Sequence, residues 1–461
     1  MNNYNFNKDI KMRVPKDVDL IIKILEKNGY EAFAVGGCVR DTILGREPQD
    51  WDITTSALPM TVKELFNRTI DTGLQHGTVT VMMKGVGYEV TTYRIDGEYN
   101  DSRHPDSVEF TSNLIEDLKR RDFTINAMAF NPKMGLVDAF DGIGDIERKV
   151  IKCVGNAEER FGEDALRILR AVRFSAQLGF DVEANTRAAA SKLSSNLVNI
   201  SKERIHTEME KLILSNNPGK LKDAYEMGIT KYFFKEFDDM MECEQNTKYH
   251  KYNVGEHTIK VMENVPREHF IRWAALLHDV GKPVVKYTDE KGDHFKKHAI
   301  KGKEMAHDIL RRLKMDNKTI NVVSRLTEHH DDLQGMNLTE TNVRKTINRI
   351  GDDIYPLFLQ LVDADTAGKS EYAIEQTKPL LEYVHSTYDM IIDRGDCYCT
   401  KMLAIAGRDL IAMGIGPGPI IGDVLDELLS MVIANPELNT EEKLKNIVIE
   451  NYITANNKLK S

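Results

Sequence analysis

Two carboxylates that follow a glycine pair are the residues of this chain best suited to chemistry. Asp50 and Asp52 lie two residues apart in a strand-like segment, so the pleat would place both on one face, where they could share divalent cations. Gly36 and Gly37 precede them and let backbone N–H groups approach phosphate oxygens without side-chain obstruction. Arg40 adds a bidentate donor. The combination is typical of nucleotidyl transfer, in which two Mg²⁺ ions clamp the attacking and leaving oxygens.

A third carboxylate could join this pair. Glu89 lies in the alternating segment from Tyr88 to Tyr93, which could form a strand beside that of Asp50 and aim Glu89 at the metals. A salt bridge to Arg94, or simple solvation, is the competing interpretation. A lone glycine pair would also be an ordinary turn, and a lone Asp-x-Asp an ordinary loop. The order and separation of the glycine pair and the Asp-x-Asp motif favour a functional role for both.

The stretch from Gly36 to Asp52 resembles the signature of the polymerase-β-type nucleotidyltransferase superfamily. The segment Val39-Arg40-Asp41-Thr42-Ile43-Leu44-Gly45 narrows the resemblance to one branch, which contains tRNA nucleotidyltransferases (CCA-adding enzymes) and bacterial poly(A) polymerases. Further motifs of this branch follow in the same order. Together they cover roughly residues 30 to 235.

The segment from Leu118 to Ala127 would crowd hydrogen-bond donors and acceptors at the start of one helix. It resembles the ribose-binding motif of the family. The resemblance implies that Asp122 accepts from a ribose hydroxyl, and that Arg121 and Asn126 hold sugar and phosphate. An N-cap role for Asp122 is the alternative, and the two roles can coexist.

Asp164 and Arg167 are expected near the start of a helix from Glu163 to Leu178, where a spacing of three makes them surface neighbours. A salt bridge between them is the ordinary interpretation. The resemblance implies instead that this motif reads the incoming base and that Arg170 also binds the nucleotide. Asp164 can accept from the exocyclic amine of C or A, while Arg167 donates to the adjacent ring nitrogen or carbonyl. U and G would leave buried groups unpaired.

Two further segments match the family. The stretch from Asp96 to Asp106 is too polar and turn-rich for a packed element and resembles the flexible catalytic loop, with Arg94, Arg103 and His104 as its matching residues. An ordinary exposed connection is the alternative. The stretch from Ile200 to Glu208 matches a later motif, which we expect to serve packing.

A second set of potential metal ligands lies further along the chain on predicted helices: His257, His278, Asp279 and Asp365. Their order resembles that of the HD phosphohydrolase domain. Imidazoles mixed with carboxylates suit Mn, Ni, Fe or Zn and leave positions for a phosphate and an attacking water. His298 and the pair His329-His330 could line the substrate pocket or bind another metal. Hydrolytic activity is a weaker expectation than metal binding.

Composition limits the class of protein. With 461 residues, 41% of them hydrophobic and 29% charged, the chain predicts a globular protein of several domains. It contains neither a long apolar run nor an apolar signal core near Met1, so we expect a cytoplasmic protein without membrane contact. Five cysteines, odd in number and mostly scattered, fit that compartment. The net charge of -10 argues against non-specific coating of nucleic acid, so RNA contacts should be local.

The expected fold class is α+β, with a polymerase-β-like nucleotidyltransferase head, an all-α neck, an HD domain and a helical tail. The expected domains are the head over 13–145, a nucleotide-selecting and RNA-binding neck over 146–240, the HD domain over 241–370 and a tRNA-binding tail over 371–461. Within the head, the patterns predict helices over 13–30 and 60–66 and strands over 31–35, 51–54, 78–83 and 88–93.

The resemblance implies a CTP(ATP):tRNA nucleotidyltransferase, which adds or repairs the CCA end of tRNA without a nucleic-acid template. Its partners would be the tRNA 3′ end, CTP and ATP, with Mg²⁺ in the head and a transition metal such as Ni²⁺ or Mn²⁺ in the HD domain. An A-adding enzyme or a poly(A) polymerase is the alternative within the class. A phosphatase or phosphodiesterase of the HD type with a degenerate head is another, which intact Asp50 and Asp52 disfavour. A purely RNA-binding protein is the third, and the acidic balance disfavours it.

Overall fold

The structure is a computed structural model that describes residue 4 and residues 6–97, 108–290 and 292–454. The chain folds into two compact units, Met1–Asp238 and Asp239–Ser461. The first unit combines a mixed sheet with helices, and the second is almost entirely helical. The predicted α+β class is therefore confirmed.

The strands of the first unit are β1 (Phe6–Asn7), β2 (Ala32–Val35), β3 (Asp52–Thr55), β4 (Thr69–Gly73), β5 (Thr78–Met83), β6 (Val86–Thr92), β7 (Arg94–Asp96), β8 (Val108–Phe110), β9 (Met128–Asn131), β10 (Gly135–Asp138), β11 (Val150–Ile151) and β12 (Asp181–Val182). Its helices are α1 (Lys16–Lys27), α2 (Gly37–Ile43), α3 (Pro59–Leu65), α4 (Leu114–Lys119), α5 (Gly142–Arg148), α6 (Ala157–Glu163), α7 (Leu166–Leu178), α8 (Ala184–Leu193), α9 (Lys202–Ile213) and α10 (Leu221–Glu226). Helix α11 (Lys235–Met241) includes the boundary between the units. Short 3₁₀ turns are Leu74–His76, Thr124–Asn126, Ser194–Asn199, Pro218–Lys220 and Thr230–Tyr232.

The main sheet has the strand order β1-β10-β9-β2-β3-β6-β5-β4. Only the β3–β6 pair is parallel, and its register joins Ile53 to Val90. Both side chains are buried in one hydrophobic cluster with the apolar face of α1. Because side chains alternate along a strand, the residues directly before this pair, Asp52 and Glu89, lie on the opposite face of the sheet.

Helix α7 begins later than the sequence predicts. The chain leaves α6 after Glu163, and Asp164 is extended, with φ of −139° and ψ of 103°. The Asp164 carboxylate accepts from the N–H of Leu166, the first residue of α7, at 3.0 Å. The prediction of a helix that runs from Glu163 was therefore wrong, because Asp164 turns the chain between two helices.

The helices of the second unit are α12 (Val254–Asn264), α13 (His269–Leu277), α14 (Lys282–Val285), α15 (His298–Arg312), α16 (Asn317–His329), α17 (Glu340–Ile350), α18 (Tyr355–Ala367), α19 (Glu371–Arg394), α20 (Gly407–Ala412), α21 (Ile420–Ala434) and α22 (Glu441–Val448). Its two strands, β13 (Tyr287–Asp289) and β14 (Gly292–His294), form a hairpin. Short 3₁₀ turns are Thr400–Met402 and Pro436–Leu438, and a π-helical turn covers Ile449–Thr454. Across the described ranges, no helix is both long and apolar enough to cross a bilayer.

Candidate active sites

Three carboxylates meet at one end of the parallel strand pair in the first unit. Asp52 opens β3, Asp50 precedes it by two residues, and Glu89 lies on β6 one position before the residue paired with Ile53. All three residues are exposed to solvent. The predicted alternation therefore places Glu89 beside the Asp50 segment. Arg94, its alternative partner, donates instead to the main-chain carbonyl of His76.

The charges around Asp52 fit a cation. Desolvation by the surrounding protein atoms raises the pKa of Asp52, the negative charges of Glu89 and Asp50 raise it further, and Arg121 lowers it. The carboxylates thus repel one another, and Arg121 offsets part of this repulsion. All-oxygen donors are what Mg²⁺ prefers, so these residues fit that ion.

Gly36 forms a close approach between the backbone and Arg121. Its φ of 84° lies in the left-handed region, and a Cβ at this position would stand 3.0 Å from Arg121 Nη1. Any other residue would push the guanidinium away from the loop and strain the backbone. Arg121 therefore lies between the glycine turn and Asp52, where it can neutralise a phosphate.

Arg40 is buried and already engaged. Its Nη1 donates to Asn126 Oδ1 at 2.6 Å, and its Nε donates to Asp41 Oδ1 at 2.9 Å. The guanidinium also lies 5.0 Å from the ring centroid of Phe174. These contacts fix α2 against the segment that follows Arg121, so Arg40 organises the site in addition to its predicted donation to phosphate.

Asp122 is the centre of a polar cluster. Its Oδ2 accepts from Arg170 Nε at 2.9 Å and Nη2 at 2.6 Å, and its Oδ1 accepts from Phe123 N at 2.8 Å and Asn126 Nδ2 at 3.1 Å. Burial alone would raise the pKa of Asp122, but Arg170, Asn126 and the charge of Arg167 outweigh it, so the pKa lies well below its usual range. The alternative N-cap role was wrong, because Phe123 occupies the cap position of the Thr124–Asn126 turn.

Asp117 is a further residue of the site that the sequence did not reveal. It is fully buried, 2.8 Å from Arg120 Nη2 and 3.6 Å from Arg121 Nη2, and it accepts from Thr54 Oγ1 at 3.0 Å. Burial favours a raised pKa, yet the two arginines and the Thr54 hydrogen bond lower the pKa of Asp117 overall. One carboxylate thereby joins β3 to both arginines. Because α4 also contains Glu116 and Lys119, the sequence did not distinguish Asp117 from an ordinary surface acid.

Asp164 and Arg167 do not form the salt bridge that was the ordinary interpretation of their spacing, because each has other partners. Asp164 Oδ2 lies 2.7 Å from Arg204 Nη2. Arg167 Nη1 donates to Glu163 Oε2 at 2.6 Å, and its Nη2 donates to the carbonyl of Arg120 at 3.1 Å. Both side chains are therefore held by ion pairs beside the Asp122 cluster.

The segment from Ile200 to Glu208 does more than pack. Ile205 is buried as expected, but Arg204 pairs with Asp164, and Glu208 Oε2 accepts from Arg173 Nε at 2.8 Å. The expectation of a packing role alone was wrong, because this face of α9 supplies charges to α7. The predicted loop residues Arg103 and His104 lie outside the described residues.

Four buried or nearly buried histidines surround Asp279 in the second unit. Asp279 Oδ2 lies 3.2 Å from His278 Nε2 and 3.7 Å from His257 Nε2. Asp279 Oδ1 lies 3.5 Å from both His298 Nε2 and His330 Nε2. Two triads of potential ligands result, the first of His257, His278 and Asp279 and the second of Asp279, His298 and His330, each within 4.8 Å. Asp365, also predicted, lies 2.9 Å from His257 Nε2.

The hydrogen bonds of the histidines fit metal binding. In all four rings Nδ1 contacts a main-chain carbonyl oxygen, and the acceptors are Gly368, Ala275, Phe295 and Thr327. An Nδ1–H that donates there leaves the Nε2 lone pair for a metal. Two Nε2 atoms face each other in each triad, at 3.4 Å and 3.1 Å. Facing lone pairs repel, and a cation between them would remove the repulsion.

Two lysines accompany the carboxylates of this cluster. Lys282 Nζ lies 2.7 Å from Asp279 Oδ2, and Lys369 Nζ lies 2.6 Å from Asp365 Oδ2. Burial opposes ionisation of Asp279 and Asp365, but the lysine charges and neighbouring histidines hold the pKa of both carboxyls well below the usual range. Both acids are therefore carboxylates, the form that binds metal.

Comparisons with known proteins cover both units. Residues 32–152 match the poly A polymerase head domain, residues 179–241 the probable RNA and SrmB-binding site of polymerase A, and residues 247–370 the HD domain. The chain is 34% identical to the CCA-adding enzyme of Leuconostoc mesenteroides over 458 residues, 96% of this chain and 97% of that one. It is 36% identical to that of Pediococcus pentosaceus over 429 residues, 92% of this chain and 95% of the relative.

A solved structure shows the same architecture. The Bacillus stearothermophilus CCA-adding enzyme in complex with CTP is similar with a TM-score of 0.73 and 30% sequence identity. The match covers 97% of this chain and 100% of that one. The predicted architecture, which consists of a polymerase-β-like head, a helical neck and an HD domain, is thereby confirmed.

Proposed function

The chain belongs to the family of CCA-adding enzymes, and from that premise we propose that it adds or repairs the 3′-terminal CCA of tRNA with CTP and ATP and without a nucleic-acid template. The observation that carries the proposal is the convergence of Asp50, Asp52 and Glu89 beside Arg121 and the Gly36 turn. Relatives that match nearly the whole chain are CCA-adding enzymes, which supports this product over A addition or poly(A) synthesis.

The proposed reaction is displacement at the α-phosphorus of a bound nucleotide. The tRNA 3′ hydroxyl gives up its proton to water as its oxygen forms a bond to the α-phosphorus, the bond from that phosphorus to the oxygen that bridges to the β-phosphate breaks, and pyrophosphate leaves. Asp50, Asp52 and Glu89 would hold Mg²⁺, which supplies charge neutralisation at the reacting oxygens. Arg121 and the backbone at Gly36 and Gly37 orient the triphosphate.

We assign base selection to two residues of the neck, Asp164 and Arg167. The Asp164 carboxylate accepts from the exocyclic amine of C or A, and Arg167 donates to the neighbouring ring atom. Arg204 and Glu163 hold these two side chains in place through ion pairs. Asp122, Asn126 and Arg170 form the adjacent ribose-binding cluster. A uracil or guanine would leave buried donors or acceptors unpaired there.

Single-nucleotide incorporation tests this proposal. Purified protein is incubated with tRNAs that lack CCA, CA or A, each with one nucleoside triphosphate at a time. We expect addition of C, C and A in that order, loss of addition in Asp50→Ala and Asp52→Ala, and nearly unchanged tRNA binding in both. Asp71→Ala is the matched control, because Asp71 forms an exposed pair with Lys63 away from the site. Normal addition by both variants would refute the assignment.

The second unit supports a second function, a metal-dependent phosphohydrolase. The two triads that share Asp279 carry this proposal. Imidazole-rich ligands favour Ni²⁺ or Mn²⁺ over Mg²⁺. Replacing His278 and Asp279 with alanine should remove metal-stimulated hydrolysis and spare CCA addition.

We also propose a cytoplasmic location for the protein, which its five free cysteines support.

A further inference from the structure

Two exposed tyrosines stand at the rim of a cavity beside the histidine cluster. The cavity has a volume of about 420 Å³, and its lining includes His250, His330, Asp365 and Lys369. Tyr249 is 45% exposed and lines the same cavity. Tyr372 is 41% exposed and adjoins Ala373, which also lines it. An aromatic surface therefore leads directly into the space that contains potential metal ligands.

The tyrosines form one surface with Lys248. The ring centroids of Tyr249 and Tyr372 are 5.6 Å apart and the ring planes are inclined at 53°. Lys248 Nζ lies 5.2 Å from the first centroid and 4.4 Å from the second, and it donates to Tyr372 Oη at 2.8 Å. Because the rings are tilted rather than stacked, both retain ring surface for a flat ligand.

This rim is fixed in place by Ser370. The Ser370 N–H donates to the carbonyl of Tyr249 at 3.0 Å, and its hydroxyl donates to the carbonyl of Lys248 at 2.7 Å. Ser370 is also the N-cap of α19, the helix that carries Tyr372. The loop and the helix therefore hold the two rings together before any ligand binds, which reduces the entropy lost on binding.

His250 is a further polar residue of the cavity lining. His250 Nδ1 is buried and has no hydrogen-bond partner within the described part of the chain. The His250 ring contacts that of His257, a member of the first triad, with centroids 5.5 Å apart. A buried polar atom without a partner is costly, so a polar group of a ligand would stabilise this position.

We propose that Tyr249 and Tyr372 bind the base of a nucleoside phosphate whose phosphate group enters the cavity toward the two triads. Every nucleobase has an apolar face that can stack on tyrosine, so the subsite would tolerate all four bases. Lys248 and Lys369 place positive charge along the path of the phosphate. The ligand is a free mononucleotide or the terminal nucleotide of an RNA. Hydrolysis of its phosphate rests on the phosphohydrolase proposed above, whereas base binding does not.

Photolabelling tests base binding without any need for hydrolysis. The full-length protein is irradiated with 8-azidoadenosine 3′-phosphate, and labelled peptides of the first unit, which has its own nucleotide site, are identified separately from those of the second unit. We expect the label in peptides that contain Tyr249 or Tyr372, and less label in Tyr249→Ala and Tyr372→Ala. Tyr287→Ala is the matched control, because Tyr287 is also 41% exposed but stacks on His294 in the β13–β14 hairpin. Labelling confined to other peptides overturns the proposal.

Kinetics of the Mn²⁺-loaded protein test the role in hydrolysis. Adenosine 3′-phosphate and glycerol 2-phosphate are both esters of secondary alcohols, but only the first has a base. Each tyrosine-to-alanine change should raise KM for the nucleotide about ten-fold and leave KM for glycerol 2-phosphate unchanged. Tyr249→Phe and Tyr372→Phe keep the ring and should retain the wild-type KM, which separates stacking from misfolding.

The outcomes distinguish this proposal from the phosphohydrolase itself. Specific labelling without hydrolysis of any substrate supports the base subsite and overturns the hydrolase. Hydrolysis with an unchanged KM in both alanine variants overturns the base subsite and leaves the hydrolase intact. An RNA that ends in a 3′-phosphate identifies the source of the ligand: a KM below that of the mononucleotide supports an RNA terminus, and a higher KM supports a free nucleotide.

Discussion

Arg167 Nη2 donates to the main-chain carbonyl of Arg120 at 3.1 Å, which joins the proposed base-selecting arginine to the segment that holds ribose and phosphate. The Arg120 side chain pairs in turn with Asp117, and Asp117 accepts from Thr54 on β3. Since β3 begins at Asp52, contacts run from the proposed metal ligands to the base-selecting residue. Asp117 connects the two halves of this series of contacts, which we call the path.

Asp117→Asn should lower both stability and catalysis. The change removes the buried negative charge that Arg120 and Arg121 share, and loss of one partner from such a set costs about 3 kcal/mol. We expect a lower free energy of unfolding in urea and slower addition of C and A alike. Glu116→Gln is the control, because Glu116 makes a long contact with the exposed Lys119, at 4.0 Å. Wild-type rates in Asp117→Asn would show that the path has no catalytic role.

Arg167→Ala should relax the choice of nucleotide. Without the guanidinium, C and A lose a hydrogen-bond donor. U and G no longer leave that donor unpaired, so the penalty against them disappears as well. We expect slower addition of C and A, and discrimination against UTP or GTP weakened by about ten-fold, which corresponds to one lost hydrogen bond to a charged group. Competition between labelled CTP and UTP measures this ratio. Arg187→Ala, which breaks an exposed pair with Glu226, should leave it unchanged. An unchanged ratio in Arg167→Ala would place selection elsewhere.

Asp122→Asn should destabilise the protein in a pH-dependent way. The pKa of Asp122 is lower in the folded chain than its ordinary value of about 3.9, so its contribution to stability is fully present above that value and disappears as pH falls through the folded pKa. We expect the wild type to exceed the variant by about 2 kcal/mol between pH 5 and pH 7, and by progressively less below about pH 4.

Urea titrations at a series of pH values measure this difference. Asp71→Asn is the control, because Asp71 forms an exposed pair with Lys63 and should contribute little at any pH. A difference between the wild type and Asp122→Asn that stays constant down to pH 3 would mean that the pKa of Asp122 is not lowered by folding.

The sequence predicted what depends on local periodicity and motif order. Alternation placed Asp52 and Glu89 on one face, and the helix predicted over 13–30 corresponds to α1. The strand over 78–83 has the predicted bounds. The ordered residues His257, His278, Asp279 and Asp365 also meet in space, because α12 and α13 pack against each other and against α18.

Pairings between distant segments that belong to no recognised motif could not be predicted. Asp164 meets Arg204, forty residues later, and Arg167 takes partners that its i,i+3 spacing does not indicate. The choice between His329 and His330 also depends on the rotation of α16. His330 faces Asp279, whereas His329 Nδ1 contacts Asp332 Oδ2 at 2.8 Å. Such rotations are set by packing of the whole unit rather than by local sequence.

Asp279 should determine whether the second unit binds two metal ions or none. One of its oxygens faces His257 and His278 and the other faces His298 and His330, so a single carboxylate serves both triads. We expect two Mn²⁺ or Ni²⁺ ions per wild-type chain, one ion in His330→Ala and weak or absent binding in Asp279→Ala. Elemental analysis after dialysis measures the ratio. His329→Ala is the control, because His329 contacts Asp332 outside the triads and should keep two ions. One ion in both the wild type and His330→Ala would show that only the first triad binds metal and that His298 and His330 serve the cavity instead.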